Sequence, residues 1–162
     1  MKEIWQTTNQ QPWVNALADG IISIKTRTTA PIVPLGAVVL LHSSKTSFWP
    51  HWKGLKWAKD LDVLSMPRGV VQAIAIVDKV DLTQELMTKK EYKFWNVDYV
   101  DRQGNHIRYD SSAEFAVRFK NIIKLKKPVF VKGFQSPFAR AKKKTIEEVT
   151  RLNPSLRSIL KG

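Results

Sequence analysis

The chain has 162 residues, of which 43% are apolar and 25% are charged, and these values are typical of one soluble globular domain and exclude full-length disorder. It contains no cysteine, so it cannot form disulfides, thiolate metal sites or a cysteine nucleophile. Its apolar runs are shorter than the roughly 18 residues of a membrane span, and its first residues lack the apolar core of a signal peptide. We therefore expect a cytoplasmic protein with no membrane partner.

The positive charge of the chain is large and unevenly distributed. The formal net charge is +13, and residues 118–162 alone contain 13 Lys and Arg but only two acidic residues. A concentrated positive field attracts polyanions, of which nucleic acid is the commonest. The charge therefore predicts a polyanionic partner, and we expect RNA or single-stranded DNA, with double-stranded DNA as a further candidate. The alternative is a solvated basic tail without a specific ligand.

The first half of the chain predicts one short helix and several strands. Pro12 suits the first turn of a helix that ends before Gly20. Runs of β-branched and apolar residues predict strands at 21–28, 37–42 and 70–80. Residues 48–57 are aromatic and basic, and we expect a loop or short helices there.

The second half predicts a hairpin, further strands and a terminal helix. Strands at 94–100 and 106–109 flank a turn, and strands at 115–125 and 126–133 follow. A basic helix is expected from Ser136 to Leu152, where Asn153-Pro154 ends it. Several short strands joined by Gly and Pro turns favour a small barrel over a doubly wound sheet.

Six short motifs occur in a characteristic order along residues 10–135. They are Gln11-Pro12-Trp13, Gly20, Arg27, residues 35–45, Arg68-Gly69 and residues 128–133. This order resembles the ASCH family of the PUA-like superfamily. The resemblance implies an α+β fold in which helices flank a small β-barrel. We accordingly predict a barrel domain over residues 1–135, with a basic C-terminal helix and tail, residues 136–162, packed on or extending the same domain.

The resemblance also implies binding of RNA or DNA in a cleft. Arg27 matches the arginine of a family motif, but Ile22 and Lys25 stand at the two positions where the family's N4-acetylcytidine amidohydrolases have lysine and threonine. We therefore do not expect that activity. The alternative function is a hydrolase of nucleic acid or nucleosides, most plausibly a ribonuclease, in which His51 or His106 would act with Lys45 or Lys53. The three histidines lack metal-ligand spacing, and we expect neither a metal nor a cofactor.

Thirteen residues are candidates for contact with nucleic acid. Lys25 and Arg27 lie two apart on a predicted strand and so share one face of it. Because burying unpaired charge in the core is costly, we expect this face to contact a ligand. Ser43, Ser44 and Lys45 end a buried strand and can hold a phosphate, although the serines could instead bond their own turn. The other eight candidates are aromatic rings that can stack on bases and cations that can contact phosphates. The alternative for the aromatic rings is that they fill the end of the barrel. These eight are Trp49, Trp52, Lys53, Arg68, Lys132, Lys142, Lys143 and Lys144.

Overall fold

The structure is a computed structural model that describes residues 3–91, 97–100, 103–104, 106–109, 114–134 and 138–161. Its strands are β1 (Ile4–Gln11), β2 (Ile24–Arg27), β3 (Val38–Phe48), β4 (Val70–Leu82), β5 (Val97–Val100), β6 (His106–Tyr109), β7 (Phe115–Phe130) and β8 (Ala139–Arg140). Its helices include α1 (Trp13–Ala18), α2 (Thr83–Leu86), α3 (Lys143–Leu152) and α4 (Arg157–Lys161), and short 3-10 turns occur at Trp52–Gly54, Val63–Ser65 and Pro154–Leu156. No helix in these ranges has the length and apolar character needed to cross a membrane.

Six strands form one mixed sheet in the order β2-β7-β4-β3-β1-β8, and β5 pairs with β6 in a separate hairpin. The turn of that hairpin contains Gly104, whose φ of 83° suits glycine. The predicted α+β class is confirmed. The first part of the predicted strand at 94–100 lies outside the described residues.

The main sheet has an apolar cluster on each face. Successive residues of β3 point to opposite faces, so Val39 and Leu41 belong to one cluster and Val38 and Leu40 to the other. Helix α1 covers the first cluster with Trp13 and other buried residues, while α3 and α4 cover the second. Burial on both faces explains why the first part of β3, residues 38–41, is continuously apolar and does not alternate.

Strand β1 is absent from the sequence-based predictions because most of its residues are polar. The structure places it parallel to β3, with Ile4 opposite Val38. Its polar residues Gln6 and Thr7 are almost fully buried. Each is hydrogen-bonded, since Nε2 of Gln6 donates to the Lys132 carbonyl (3.3 Å) and Oγ1 of Thr7 accepts from a lysine discussed below. A strand whose buried residues are polar and hydrogen-bonded has no apolar pattern, so the sequence does not reveal it.

The sheet is open, and the predicted closed barrel is wrong. Strands β2 and β8 are the two edges, and within the described ranges no backbone pairing joins β2 to β1 or to β8. Among the described residues, the side chain of Lys25 in β2 reaches across the opening, and its Nζ lies 2.7 Å from Oγ1 of Thr7 in β1. All four residues of β2 pair with β7, which leaves the opposite edge of this short strand without a sheet neighbour.

The terminal helix also differs from the predicted one. Residues 135–137 lie outside the described residues, Ala139 and Arg140 form β8, and α3 begins only at Lys143. Within α3, the cations are Lys143, Lys144 and Arg151, and Glu147 and Glu148 offset most of their charge. The predicted basic helix is therefore a nearly neutral helix preceded by a basic segment.

The end of α3 is attached to β7 by the side chain of Asn153. Its Oδ1 accepts a hydrogen bond from the backbone N–H of Lys127 (3.1 Å), and its Nδ2 donates to the carbonyl of the same residue (3.0 Å). Nδ2 also lies 3.2 Å from the carbonyl of Val149. One buried amide thus satisfies three backbone groups of two different elements.

Replacing Asn153 with alanine is expected to lower the free energy of unfolding by about 2 kcal/mol, because backbone groups lose their partners in a partly buried place. Urea denaturation followed by circular dichroism measures the effect. Ser155→Ala, at an exposed position in the next turn, is the matched control and should change stability little. A loss no larger than that of the control would contradict this role of Asn153.

Candidate nucleic-acid interface

A groove of about 750 Å³ lies where three segments of the sheet end together. The far part of β3 contributes Ser44, Lys45 and Thr46, the turn before β4 contributes Arg68 and Gly69, and β7 with the segment after it contributes residues 130–134. Four predicted site residues therefore meet here although they are distant in sequence. They are Ser44, Lys45, Arg68 and Lys132.

Gly69 holds two of these segments together. Its N–H donates to the carbonyl of Ser43 (2.9 Å), and its own carbonyl accepts from the N–H of Val131 (3.1 Å). Its φ is 72°, and an added Cβ would lie 3.2 Å from Cβ of Lys45. Glycine is needed here for both reasons, and this explains the Arg68-Gly69 motif in structural terms.

The groove carries strong positive charge. Lys45, Arg68 and Lys132 are exposed, and none of them forms a salt bridge with a carboxylate in the described part of the chain. No Asp or Glu is among the residues that line the groove. Cations without carboxylate partners leave their charge available to an external anion, and arginine adds a planar group suited to phosphate.

One wall of the groove is built on His42 and Thr8. Nε2 of His42 lies 2.9 Å from the Val131 carbonyl, so this nitrogen carries the proton, and Nδ1 lies 3.1 Å from Oγ1 of Thr8. Burial lowers the pKa of His42 below its usual value, and its backbone hydrogen bonds oppose this effect only partly. Both ring nitrogens are therefore occupied, and the neutral ring supports the groove.

Gly133 lets the chain pass close over this wall. A Cβ at this position would lie 3.0 Å from Cε1 of His42 and 3.3 Å from Oγ1 of Thr8. The Lys132-Gly133 motif thus combines a groove cation with a glycine that packs tightly against the buried histidine, where a larger residue would force the ring to shift.

Two phenylalanines line the groove and were not among the sequence candidates. Phe130, the last residue of β7, is 83% exposed. Phe134 is half-buried, and Nζ of Lys142 lies 5.7 Å from its ring centroid. An aromatic residue in an apolar strand is normally assigned to the core, so the strand pattern conceals Phe130.

Lys25 is buried, although its position on the strand predicts a side chain that faces a ligand. It is only 8% exposed, and its Nζ donates to Oγ1 of Thr7 (2.7 Å), to Oδ1 of Asn9 and, at 3.5 Å, to the carbonyl of Thr8. Burial, and secondarily the charge of Arg27, lowers the pKa of Lys25 from 10.5 to about 7. No carboxylate is among its partners in the described residues.

A separate cavity of about 270 Å³ is lined by Lys25, Asn9 and Trp49, among other residues. Trp49 is half-buried, with its ring centroid 5.3 Å from that of Trp13. Thr8 borders this cavity and also the groove. Strand β1 therefore separates two concave sites, so the candidates Lys25 and Lys45 do not share one cleft.

The other candidates divide into buried and exposed residues. Ser43 is fully buried, and its Oγ bonds both the carbonyl and the N–H of Val70, at 3.2 and 3.3 Å. Trp52 is also buried, so both side chains serve the fold and are not placed to contact a ligand. Lys53 is exposed, with Nζ 5.6 Å from the Trp52 ring centroid.

The remaining candidates lie outside both cavities. Arg27 is half-buried; its Nη2 lies 3.1 Å from Oγ1 of Thr29, and desolvation lowers its pKa. Lys142, Lys143 and Lys144 are exposed in the basic segment before and at the start of α3. Of these three, only Lys142 is tied to the groove, through Phe134.

The alternative function, hydrolysis of nucleic acid, requires a general base such as His51 or His106 close to a cation such as Lys45. His51 lies against Trp49, with 5.5 Å between ring centroids, and does not line the groove that contains Lys45. The side chain of His106 lies outside the described residues. No group of three His, Asp or Glu in the described ranges is arranged to hold a metal ion.

This α+β arrangement, a mixed six-stranded sheet with helices on its faces, is a fold that solved structures share. The ASCH protein from Zymomonas mobilis matches with a TM-score of 0.53 and 10% sequence identity, over 93% of this chain and 95% of that one. A tyrosine-to-phenylalanine variant of that protein gives 0.54 at 11% identity, over 93% and 99%. A serine-to-alanine variant gives 0.51 at 12% identity, over 96% of each chain.

No protein-family model matches the chain, and no curated protein matches it significantly. The structural likeness at these identities establishes the fold. The chain therefore has the ASCH fold, and the resemblance predicted from its motifs is confirmed at this level.

Proposed function

We propose that the protein binds RNA or single-stranded DNA through the groove formed by the ends of β3, β4 and β7. The observation that carries this proposal is the convergence of Lys45, Arg68 and Lys132 on one surface with no described carboxylate to neutralise them. Unpaired cations repel one another in the free protein, and phosphates relieve that repulsion. The ASCH fold adds support, because the family resemblance implies nucleic-acid binding as its general role.

A polyanion fits this surface better than a small anion does. The three cations come from separate segments around a groove of about 750 Å³. Beyond it, Lys142 stands beside Phe134, and exposed Lys143 and Lys144 follow. Such an extended path of cations matches a phosphate backbone, and the net charge of +13 would speed its association.

The test is a gel-shift titration with labelled single-stranded RNA, single-stranded DNA and double-stranded DNA. EDTA is present, and each titration is run at about 50 and about 200 mM salt. Because three phosphate contacts on a single strand give a log–log salt slope near −2, we expect affinity to fall by about tenfold or more between the two salt concentrations.

The same reactions are run on denaturing gels to show whether the strands remain intact. Salt-sensitive shifts with intact strands support the proposal. Absence of binding at the lower salt concentration, or binding that salt does not weaken, would refute it. Metal-independent cleavage of the RNA would instead support the alternative function, a hydrolase of nucleic acid.

A further inference from the structure

We propose that Phe130 and Phe134 form a stacking platform that makes the groove select unpaired bases over duplex nucleic acid. This inference rests on the proposed function and specifies its ligand. It assigns the role of base contact to two residues of the groove itself, and not to the tryptophans of residues 48–57.

The exposure of Phe130 is the first argument. Its ring is 83% exposed, whereas the strand neighbours Leu125 and Val129 are 4% and 2% exposed. An exposed phenyl ring gives up the hydrophobic gain of burial, so folding does not explain its position. Its place at the end of β7, opposite Val70 in the register, puts the ring beside the turn that carries Arg68.

The second argument is the combination of rings with cations. Phe130 and Lys132 line the same groove, and Phe134 has Nζ of Lys142 at 5.7 Å from its ring centroid. Each ring is thus accompanied by a positive charge that can hold the phosphate next to a stacked base. Alternating aromatic and cationic groups are the arrangement by which proteins bind single strands.

The preference for unpaired bases follows from the geometry of stacking. In a duplex, both faces of an internal base are covered by its neighbours, so a phenyl ring on an open surface cannot reach one. In a single strand, the bases are free to turn onto the ring while the phosphates contact Lys45, Arg68 and Lys132. The cations would serve both ligands, but the rings would serve only the single strand.

The experiment compares Phe130→Ala, Phe130→Leu and Phe130→Trp with the unmodified protein. The probes are a fluorescein-labelled oligo-uridine single strand and a duplex of equal length. Leu35→Ala is the matched control, because Leu35 is 68% exposed and lies outside the groove. We expect the alanine and leucine variants to bind the single strand about tenfold more weakly, the tryptophan variant to bind it at least as tightly as the unmodified protein, and duplex binding to stay unchanged.

A direct readout of stacking is the quenching of 2-aminopurine placed in the single strand, which the tryptophan variant should preserve and the alanine variant reduce. Equal single-strand affinity of the alanine variant and the unmodified protein would overturn the stacking platform. An unchanged single-strand affinity of the leucine variant would overturn it as well, since leucine is apolar but does not stack. If the unmodified protein also fails to bind at about 50 mM salt, the proposed function itself fails, and the two failures are therefore distinguishable.

Phe130 could instead be exposed because a second copy of the chain covers it. Sedimentation of the unmodified protein and of Phe130→Ala tests this at the same concentrations. A dimer that dissociates in the variant, with single-strand affinity unaffected, would assign the ring to self-association and overturn the proposal. A thermal melt of each variant confirms that it is folded.

Discussion

Replacing Lys25 with methionine is expected to remove a pH dependence of stability of about 2.5 kcal/mol between about pH 7.5 and pH 9.5. In the folded protein, burial lowers the pKa of Lys25 from 10.5 to about 7, so the amine is largely neutral above that pH. The unfolded chain keeps this proton up to the ordinary value. Because the unfolded state then binds more protons, the stability of the unmodified protein rises with pH in this window.

The measurement is the free energy of unfolding in urea at several pH values from about 7.5 to 9.5. Burial lowers the pKa of His42, which moves its titration in the folded protein further below this window. Lys126→Met, at an exposed position, is the control that should retain the rise. Parallel pH profiles for Lys25→Met and the unmodified protein would show that Lys25 titrates normally. The methionine variant also loses the hydrogen bonds to Thr7 and Asn9, so the slope with pH, and not the absolute stability, is the diagnostic quantity.

Reversing the three groove charges together is expected to weaken binding of single strands by about 100-fold or more at moderate salt, and to reduce the salt slope by about 2. The variant carries Lys45→Glu, Arg68→Glu and Lys132→Glu. All three side chains are exposed and make no salt bridge to a described carboxylate, so their replacement should leave the fold intact. The affinities are measured by fluorescence anisotropy over a range of salt concentrations.

The control for this prediction must change the net charge equally at another place. Lys56, Lys59 and Lys79 are exposed and lie outside the groove, and replacing each with glutamate gives the same total charge. We expect this variant to lose much less affinity, with a slope close to that of the unmodified protein. If the two variants behave alike, the binding depends on total charge, and the groove has no particular role.

Much of the groove could be predicted from the sequence because its cations lie close to apolar runs or to turn residues. Lys45 lies in the polar second half of β3, Arg68 lies two residues before β4, and Lys132 lies two residues after β7. These three strands are neighbours in the sheet. The motifs could therefore be assigned before their proximity was known, although the predicted strands at 37–42 and 126–133 differ in their bounds from β3 and β7. What no local pattern contains is strand order, and this is why the open sheet was predicted as a closed barrel.

The errors over single residues have a common physical origin. Lys25 and Phe130 both contradict the burial that their polarity predicts. The lysine is buried among oxygen acceptors, and the phenylalanine is exposed. Polarity predicts burial only on average, and sites of function are where the average fails. Ser43 differs from both: it is a polar residue next to the groove, but its hydroxyl is hydrogen-bonded to the backbone of Val70 at the start of β4.

The attachment of Asn153 to β7 also affects how copies of the molecule behave in concentrated solution. Beyond Arg118, β7 has no second strand beside it in the described part of the sheet, so its backbone presents the type of edge from which fibrils grow. At Lys127 the asparagine amide already occupies the N–H and the carbonyl that an incoming strand would need. The exposed side chain of Lys126 adds a positive charge that disfavours pairing with an identical edge, so we expect both features to oppose aggregation along β7.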